Sequence, residues 1–115
     1  FVKMKTPCLK KKDNLWILFN GSEYVVGLTS EAQEELGEIT FIDLPRKGQE
    51  LKQGETLLEV EAEKAVSEFS SPLTGVISSI NEKIDQDITV LNDQDELCAW
   101  ILSYKNVSAE EFHAL

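Results

Sequence analysis

One stretch near the middle of the chain, residues 57–69, constrains the fold more than any other. Folded back on itself at Glu63-Lys64, it places Ala62 opposite Ala65, Val60 opposite Ser67 and Leu58 opposite Phe69. Side chains alternate between the two faces of a β-ribbon, so these six share one side. That side is small at the tip and large at the base, as expected of a hairpin whose base enters a core. The other side pairs Glu61 with Val66 and Glu59 with Glu68. Like charges set opposite one another cost roughly a few tenths of a kcal/mol, which is tolerable only in water. The tip is unusual. Two-residue hairpin turns favour Gly or Asn, because positive φ is costly for a residue with a Cβ. Glu63-Lys64 is neither, so the turn is predicted to use a geometry that needs no glycine. Lys64 is then expected to project its ammonium away from the body, with no neighbour positioned to bury it. On that geometry alone it is a solvated turn lysine.

The rest of the chain reads as short strands separated by regular turns. Residues 16–19 and 22–26 flank Asn20-Gly21, which predicts a hairpin with a type I′ turn. Residues 29–37 predict a short helix, with Ser30 and Gln33 at capping-box spacing and Gly37 as its stop. Its Glu31, Glu34 and Glu35 are expected to face water, with Ala32 and Leu36 facing inward. A strand over residues 39–44 closes at Pro45, and Lys47-Gly48 and Gln53-Gly54 mark turns. Strands are expected at 56–62, 65–70, 76–80, 89–91 and 99–102, with a loop or short helix at 81–86. Ser108 and Glu111 form a second capping box, opening a terminal helix through Leu115. The first thirteen residues are basic, lack an apolar signal-like core and are expected to form a loose arm. Residues 14–115 are then one domain, mainly β with small helices, built as a sandwich or flattened barrel with a C-terminal helix.

Several function classes are excluded by composition. Lys and Arg number 11 against 21 Asp and Glu, for a net charge of −10. Nucleic-acid binding needs a basic face, and none is expected here. No apolar run approaches the roughly 20 residues that span a bilayer, so no membrane partner is expected. Cys8 and Cys98 stand in no metal or redox spacing and suit a reducing, cytoplasmic setting. His113 is the only histidine. A metal site is not expected, and with no nucleophile–base pair the chain is read as non-catalytic.

The context of Lys64 changes its reading. The ordered set Gly48-x5-Gly54-Glu55-x-Leu57-x2-Val60-Glu61-x2-Lys64-Ala65, followed by Ser71-Pro72-Leu73-Thr74-Gly75-Val76-Ile77, resembles the biotinyl/lipoyl carriers. Within them it is most similar to the glycine cleavage system H-protein family. Further matches are Val26-Gly27-Leu28-Thr29, Ala32-Gln33-Glu34-x-Leu36-Gly37, Phe41-Ile42-Asp43-Leu44-Pro45, Ala65-Val66-Ser67-Glu68 and Trp100. The resemblance covers about residues 14–115, and it implies a lipoyl-domain-like sandwich with lipoate joined covalently to Lys64. It also implies that a lipoate ligase or a lipoyl/octanoyl transferase reads Glu61, with Glu63 and Ala65 beside the site. The partners implied are glycine decarboxylase, aminomethyltransferase and dihydrolipoamide dehydrogenase, served by a carrier expected to be a monomer.

The likeness departs from the family pattern at three places. Glu61-Ala62-Glu63-Lys64 replaces the usual Glu-Ser-Val/Thr-Lys, which still fits lipoylation and fits biotinylation poorly. Asn14-Leu15-Trp16 replaces an early His-Glu-Trp, and residues 95–100 lack a usual proline and glycines. The shortened chain is also similar to H-like paralogues of Gram-positive bacteria. That branch implies, as an alternative, a lipoylated scaffold served by a sirtuin-type ADP-ribosyltransferase and a macrodomain hydrolase, with Glu34 or Glu35 as acceptor. A lipoate-relay donor and an interaction domain that carries nothing are the remaining readings.

Overall fold

Alternating burial along short strands builds one core between two antiparallel sheets. The computed structural model describes residues 7–115. In chain order its elements are β1 (Cys8–Lys12), β2 (Leu15–Phe19), β3 (Tyr24–Leu28), α1 (Ser30–Leu36) and β4 (Ile39–Asp43). There follow β5 (Glu50–Leu51), β6 (Thr56–Ala62), β7 (Val66–Ser70), β8 (Gly75–Ile80), α2 (Lys83–Gln86), a 3-10 helix (Ile88–Asn92), β9 (Trp100–Lys105) and α3 (Ala109–His113). One sheet has the order β1-β2-β3-β9-β8-β5 and the other β4-β6-β7. Leu15, Ile17, Val26, Leu28, Ile77, Leu102 and Tyr104 from the first join Leu58, Val60 and Phe69 from the second in the core. The mainly β sandwich with small helices is the architecture expected.

The central hairpin has the predicted register. Leu58 pairs with Phe69, Glu59 with Glu68, Val60 with Ser67 and Glu61 with Val66. Leu58 and Val60 are buried, while Glu59, Glu61 and Glu68 are exposed. Strand β4 pairs along the other edge of β6, with Asp43 opposite Glu59, Ile42 opposite Val60 and Phe41 opposite Glu61. At the hairpin's base, the Ser71 hydroxyl lies 2.6 Å from the Tyr104 hydroxyl and donates to the Leu73 carbonyl at 2.6 Å. This joins the smaller sheet to the larger one.

Several expectations are corrected. Residues 8–12 are not a loose arm: they form β1, an edge strand paired with β2 over its whole length. Residues 1–6 of that expected arm lie outside the described residues. Lys10 Nζ donates to the carbonyls of Phe112 and His113 at 3.0 and 2.9 Å, setting a cation at the C-terminal end of α3. The geometry of a type I′ turn occurs one hairpin earlier than expected, where Asp13 and Asn14 both have positive φ (51° and 68°). Asn20-Gly21 instead opens a four-residue connection in which the Asn20 side chain accepts from the Ser22 and Glu23 amides. Residues 89–91, expected as a strand, lie in the 3-10 helix, because the Asp87 carboxylate caps the Thr89 amide at 3.0 Å. The N-cap of α1 is Thr29, whose hydroxyl accepts from the Ala32 amide. Ser108 caps α3 without a side-chain hydrogen bond, and that helix ends at His113, short of Leu115.

The outer face of the larger sheet contains one close approach that depends on a missing side chain. Trp16 is 1% exposed and its indole lies flat over Gly27, its pairing partner on β3. A Cβ on residue 27 would come within 2.5 to 2.7 Å of the indole ring. Gly27→Ala must therefore displace a buried tryptophan, and over-packing of this kind costs about 2 kcal/mol. Chemical denaturation should show a lower midpoint with an unchanged slope. An unaltered midpoint would mean that the indole is not seated there.

Candidate functional site

The apex of the β6–β7 hairpin is held through its backbone. Ala62 N donates to the Ala65 carbonyl at 2.9 Å, which closes the turn. Positive φ among the described non-glycine residues is confined to Asp13, Asn14 and Asn106. Glu63 and Lys64 therefore turn the chain without it, as the sequence predicted. The two apical amides do not point into water. Glu63 N donates to the Glu38 carbonyl and Lys64 N to the Leu36 carbonyl, each at 2.9 Å. The apex thus rests on the C-terminal end of α1 and satisfies carbonyls that a helix end would otherwise leave to solvent.

The contact is close because residue 37 has no side chain. Gly37 has φ +76°, a conformation that L side chains rarely adopt, and a Cβ there would lie 3.3 Å from both Glu63 Cβ and Lys64 Cγ. The Lys64 side chain crosses this glycine, and its Nζ donates to the Glu34 carbonyl at 3.1 Å. This modifies the sequence-based expectation: Lys64 is exposed and apical, but its amine lies back along the helix end instead of standing clear. The position suits a cation, since the carbonyl end of a helix carries partial negative charge. Among the described residues no carboxylate forms an ion pair with Lys64.

The other expected site residues divide into two groups. Glu63 and Ala65 flank Lys64 at the apex and are exposed. Glu61 is exposed on β6, between Phe41 of β4 and Val66 of β7, and its backbone carbonyl accepts from the Thr40 hydroxyl at 3.2 Å. Glu34 meets the apex through its carbonyl alone. Its carboxylate, like that of Glu35, is exposed and is not set apart from the other acidic side chains of α1. Cys98 is exposed, and its hydrogen bond to Asp95 with that residue's charge pushes the thiol up from its ordinary value, which disfavours the reactive thiolate.

Helix α1 has a cleft on either side. One, of about 320 Å³, is lined by Asp13, Asn14, Glu35, Leu36, Ser67 and Phe69. The other, of about 440 Å³, is lined by Gln33, Gly37, Glu38, Thr89 and Asn92. The segment departing from the family pattern at residue 14 therefore borders the first cleft. The segment at residues 95–100 reaches the opposite end of the helix through Glu96. Sequence reasoning missed Gly37, Leu36 and Glu38 as supports of the apex. Gly37 was visible as a helix stop, but no local pattern links it to a lysine 27 positions later.

Comparison with known proteins gives a consistent set. The family model described as glycine cleavage H-protein matches residues 8–115. A probable glycine cleavage system H protein of Pyrococcus abyssi is 39% identical over 111 residues, covering 95% of this chain and 81% of the relative. The glycine cleavage system H protein of Alkaliphilus oremlandii is 36% identical over 114 residues, covering 97% and 89%. The crystal structure of a glycine cleavage system H protein from Mycobacterium marinum superposes with a TM-score of 0.74 at 27% identity, covering 98% of this chain and 97% of that one.

The platform under the apex depends on how the other end of α1 is fixed. Glu96 accepts from the Ser30 amide at 2.7 Å and the Ser30 hydroxyl at 3.2 Å, and pairs with Lys11 at 3.0 Å. Burial pushes the Glu96 carboxyl up, but Lys11 and Ser30 outweigh it, and the net shift is below the ordinary 4.5. A carboxyl more acidic in the folded chain stabilises it above that ordinary value, and the contribution is lost as the pH falls below it. Glu96→Gln should lower the unfolding free energy by about 1.5 kcal/mol at neutral pH. The gap between parent and variant should close as unfolding is measured at progressively lower pH through the carboxylate range. A gap independent of pH would show that the charge of Glu96 does not hold the helix.

Proposed function

The chain belongs to the glycine cleavage H-protein family, and from that premise we propose that it is a lipoyl carrier whose arm is attached through Lys64. The observation that carries this reading is the apex itself: an exposed lysine on a backbone tied to α1, without a carboxylate partner among the described residues. The flanking Ala62 and Ala65 are small, so an enzyme's active site can approach the amine from either side of the ribbon.

The residues present fit an amide-linked lipoyl group. For acylation the Lys64 amine leaves the Glu34 carbonyl and loses one proton to become a nucleophile. It attacks an activated lipoyl carbonyl and loses a second proton, keeping one N–H in the product. The amide forms as the activating group departs, and the side chain loses its positive charge. The backbone bonds of Glu63 and Lys64 to α1 do not involve Nζ, so the stiff base of the arm survives the modification. When bound, the lipoyl group supplies a reducible disulfide able to accept an aminomethyl group. The chain supplies a fixed base, and a tether of this kind gives the cofactor a high effective concentration at each docked partner. Glycine decarboxylase, aminomethyltransferase and dihydrolipoamide dehydrogenase are the partners in this reading. In this reading the chain carries the group and the partner enzymes supply the catalysis.

Incubation with a lipoate ligase, lipoate and ATP should add one lipoyl group to the parent chain by intact mass, and none to Lys64→Arg. The lipoylated parent should then support exchange of bicarbonate with the glycine carboxyl when mixed with glycine decarboxylase. Modification that persists in Lys64→Arg would refute the site. Lipoylation without exchange would refute the glycine cleavage role and leave the carrier role.

A further inference from the structure

The hairpin row nearest the apex combines features that solvated β-strands do not ordinarily bring together. Phe41, Glu61 and Val66 lie side by side across β4, β6 and β7, all on the outer face. Phe41 is 51% exposed and Val66 73% exposed, the two most exposed large apolar side chains among the described residues. Single exposed apolar residues need no explanation. Here two of them flank one carboxylate, Glu61, three residues before Lys64. The next row down is Asp43, Glu59 and Glu68, and Glu63 lies above, so the apolar pair is framed by acidic groups. No Lys or Arg is interspersed on these rows.

Distance decides which partner this face suits. An enzyme acting on the far end of a long arm need not touch the hairpin near the attachment point. An enzyme that forms the bond at Nζ must bring its active site to the apex. Val66, two residues along an extended strand, is about 7 Å from the level of Lys64, and three adjacent strands span about 10 Å. The walls of an acylating active site therefore cover the Phe41–Glu61–Val66 row while the amide is made.

Resting on the proposed acylation of Lys64, we propose that Phe41 and Val66 are the apolar anchors on which the acylating enzyme docks. The surface that fits is an apolar patch with a Lys or Arg placed opposite Glu61 and further basic residues toward Glu59 and Glu68. The apolar pair supplies the area removed from water, and the surrounding carboxylates supply orientation and a salt-sensitive approach. Both side chains are exposed, so their replacement leaves the core untouched.

The test measures initial rates of lipoate transfer from a lipoate ligase, with lipoate and ATP saturating and the carrier concentration varied. Val66→Thr keeps the β-branched shape, and Phe41→Thr keeps a strand-forming residue, so both should unfold at the parent's temperature. Each is expected to raise the KM for the carrier at least fivefold with kcat within twofold. Glu61→Gln should raise KM and flatten its dependence on salt. If Phe41→Thr fails to fold, Val66→Thr decides alone. A KM within twofold of the parent for the folded variants would overturn the docking surface while leaving Lys64 as the acceptor. A parent chain that gains no lipoyl group would overturn both.

Discussion

Two backbone hydrogen bonds, from Glu63 N to the Glu38 carbonyl and from Lys64 N to the Leu36 carbonyl, are the constraint on which the rest of the site depends. A protruding two-stranded ribbon is marginally stable by itself, and its tip would fray. Here the ribbon is stiffened along one edge by β4 and at its apex by the end of α1. The helix is in turn fixed at its start by Glu96, which reaches Ser30 and is held by Lys11 of β1. A basic edge strand, an acidic loop residue, a two-turn helix and a hairpin tip thus form one mechanical series. Within that series the Lys64 amine takes part through one hydrogen bond, to the Glu34 carbonyl.

The distribution of charge follows the same logic. The outer face of the smaller sheet tolerates Glu59 opposite Glu68 because both are in water. The strain of like charges there is small, and the resulting field is available to a basic partner. The larger sheet carries the opposite device. Its edge strand β1 holds Lys10, Lys11 and Lys12, charges that discourage another strand from pairing along it. Lys10 and Lys11 also tie α3 and the Glu96 loop into place, so the same side chains protect the edge and brace the fold.

The hairpin was legible because its information is local: strict alternation on either side of Glu63-Lys64 permits one register only. The family was legible through the ordered motif around Lys64. What escaped the sequence is non-local or depends on a side-chain cap. Strand β1 reads as a charged arm until Cys8 and Lys10 are seen to face inward against Phe19 and Ile17. Ile88–Asn92 has the β-branched residues of a strand, yet Asp87 captures the Thr89 amide and winds the segment into a 3-10 helix. The Asn-Gly signal at residue 20 is real as a turn, but the Asn20 side chain spans the Ser22 and Glu23 amides and lengthens the loop. The amine of Lys64 was expected to stand clear, and it folds back because Gly37, far away in sequence, leaves room for it.

The central claim is that the chain offers Lys64 from a rigid base. It is tested most directly by backbone 15N relaxation of the unmodified protein, read at the Glu63 and Lys64 amides. Their order parameters should match those of the β6 interior, about 0.85. Values below about 0.6, typical of a free loop tip, would contradict the account.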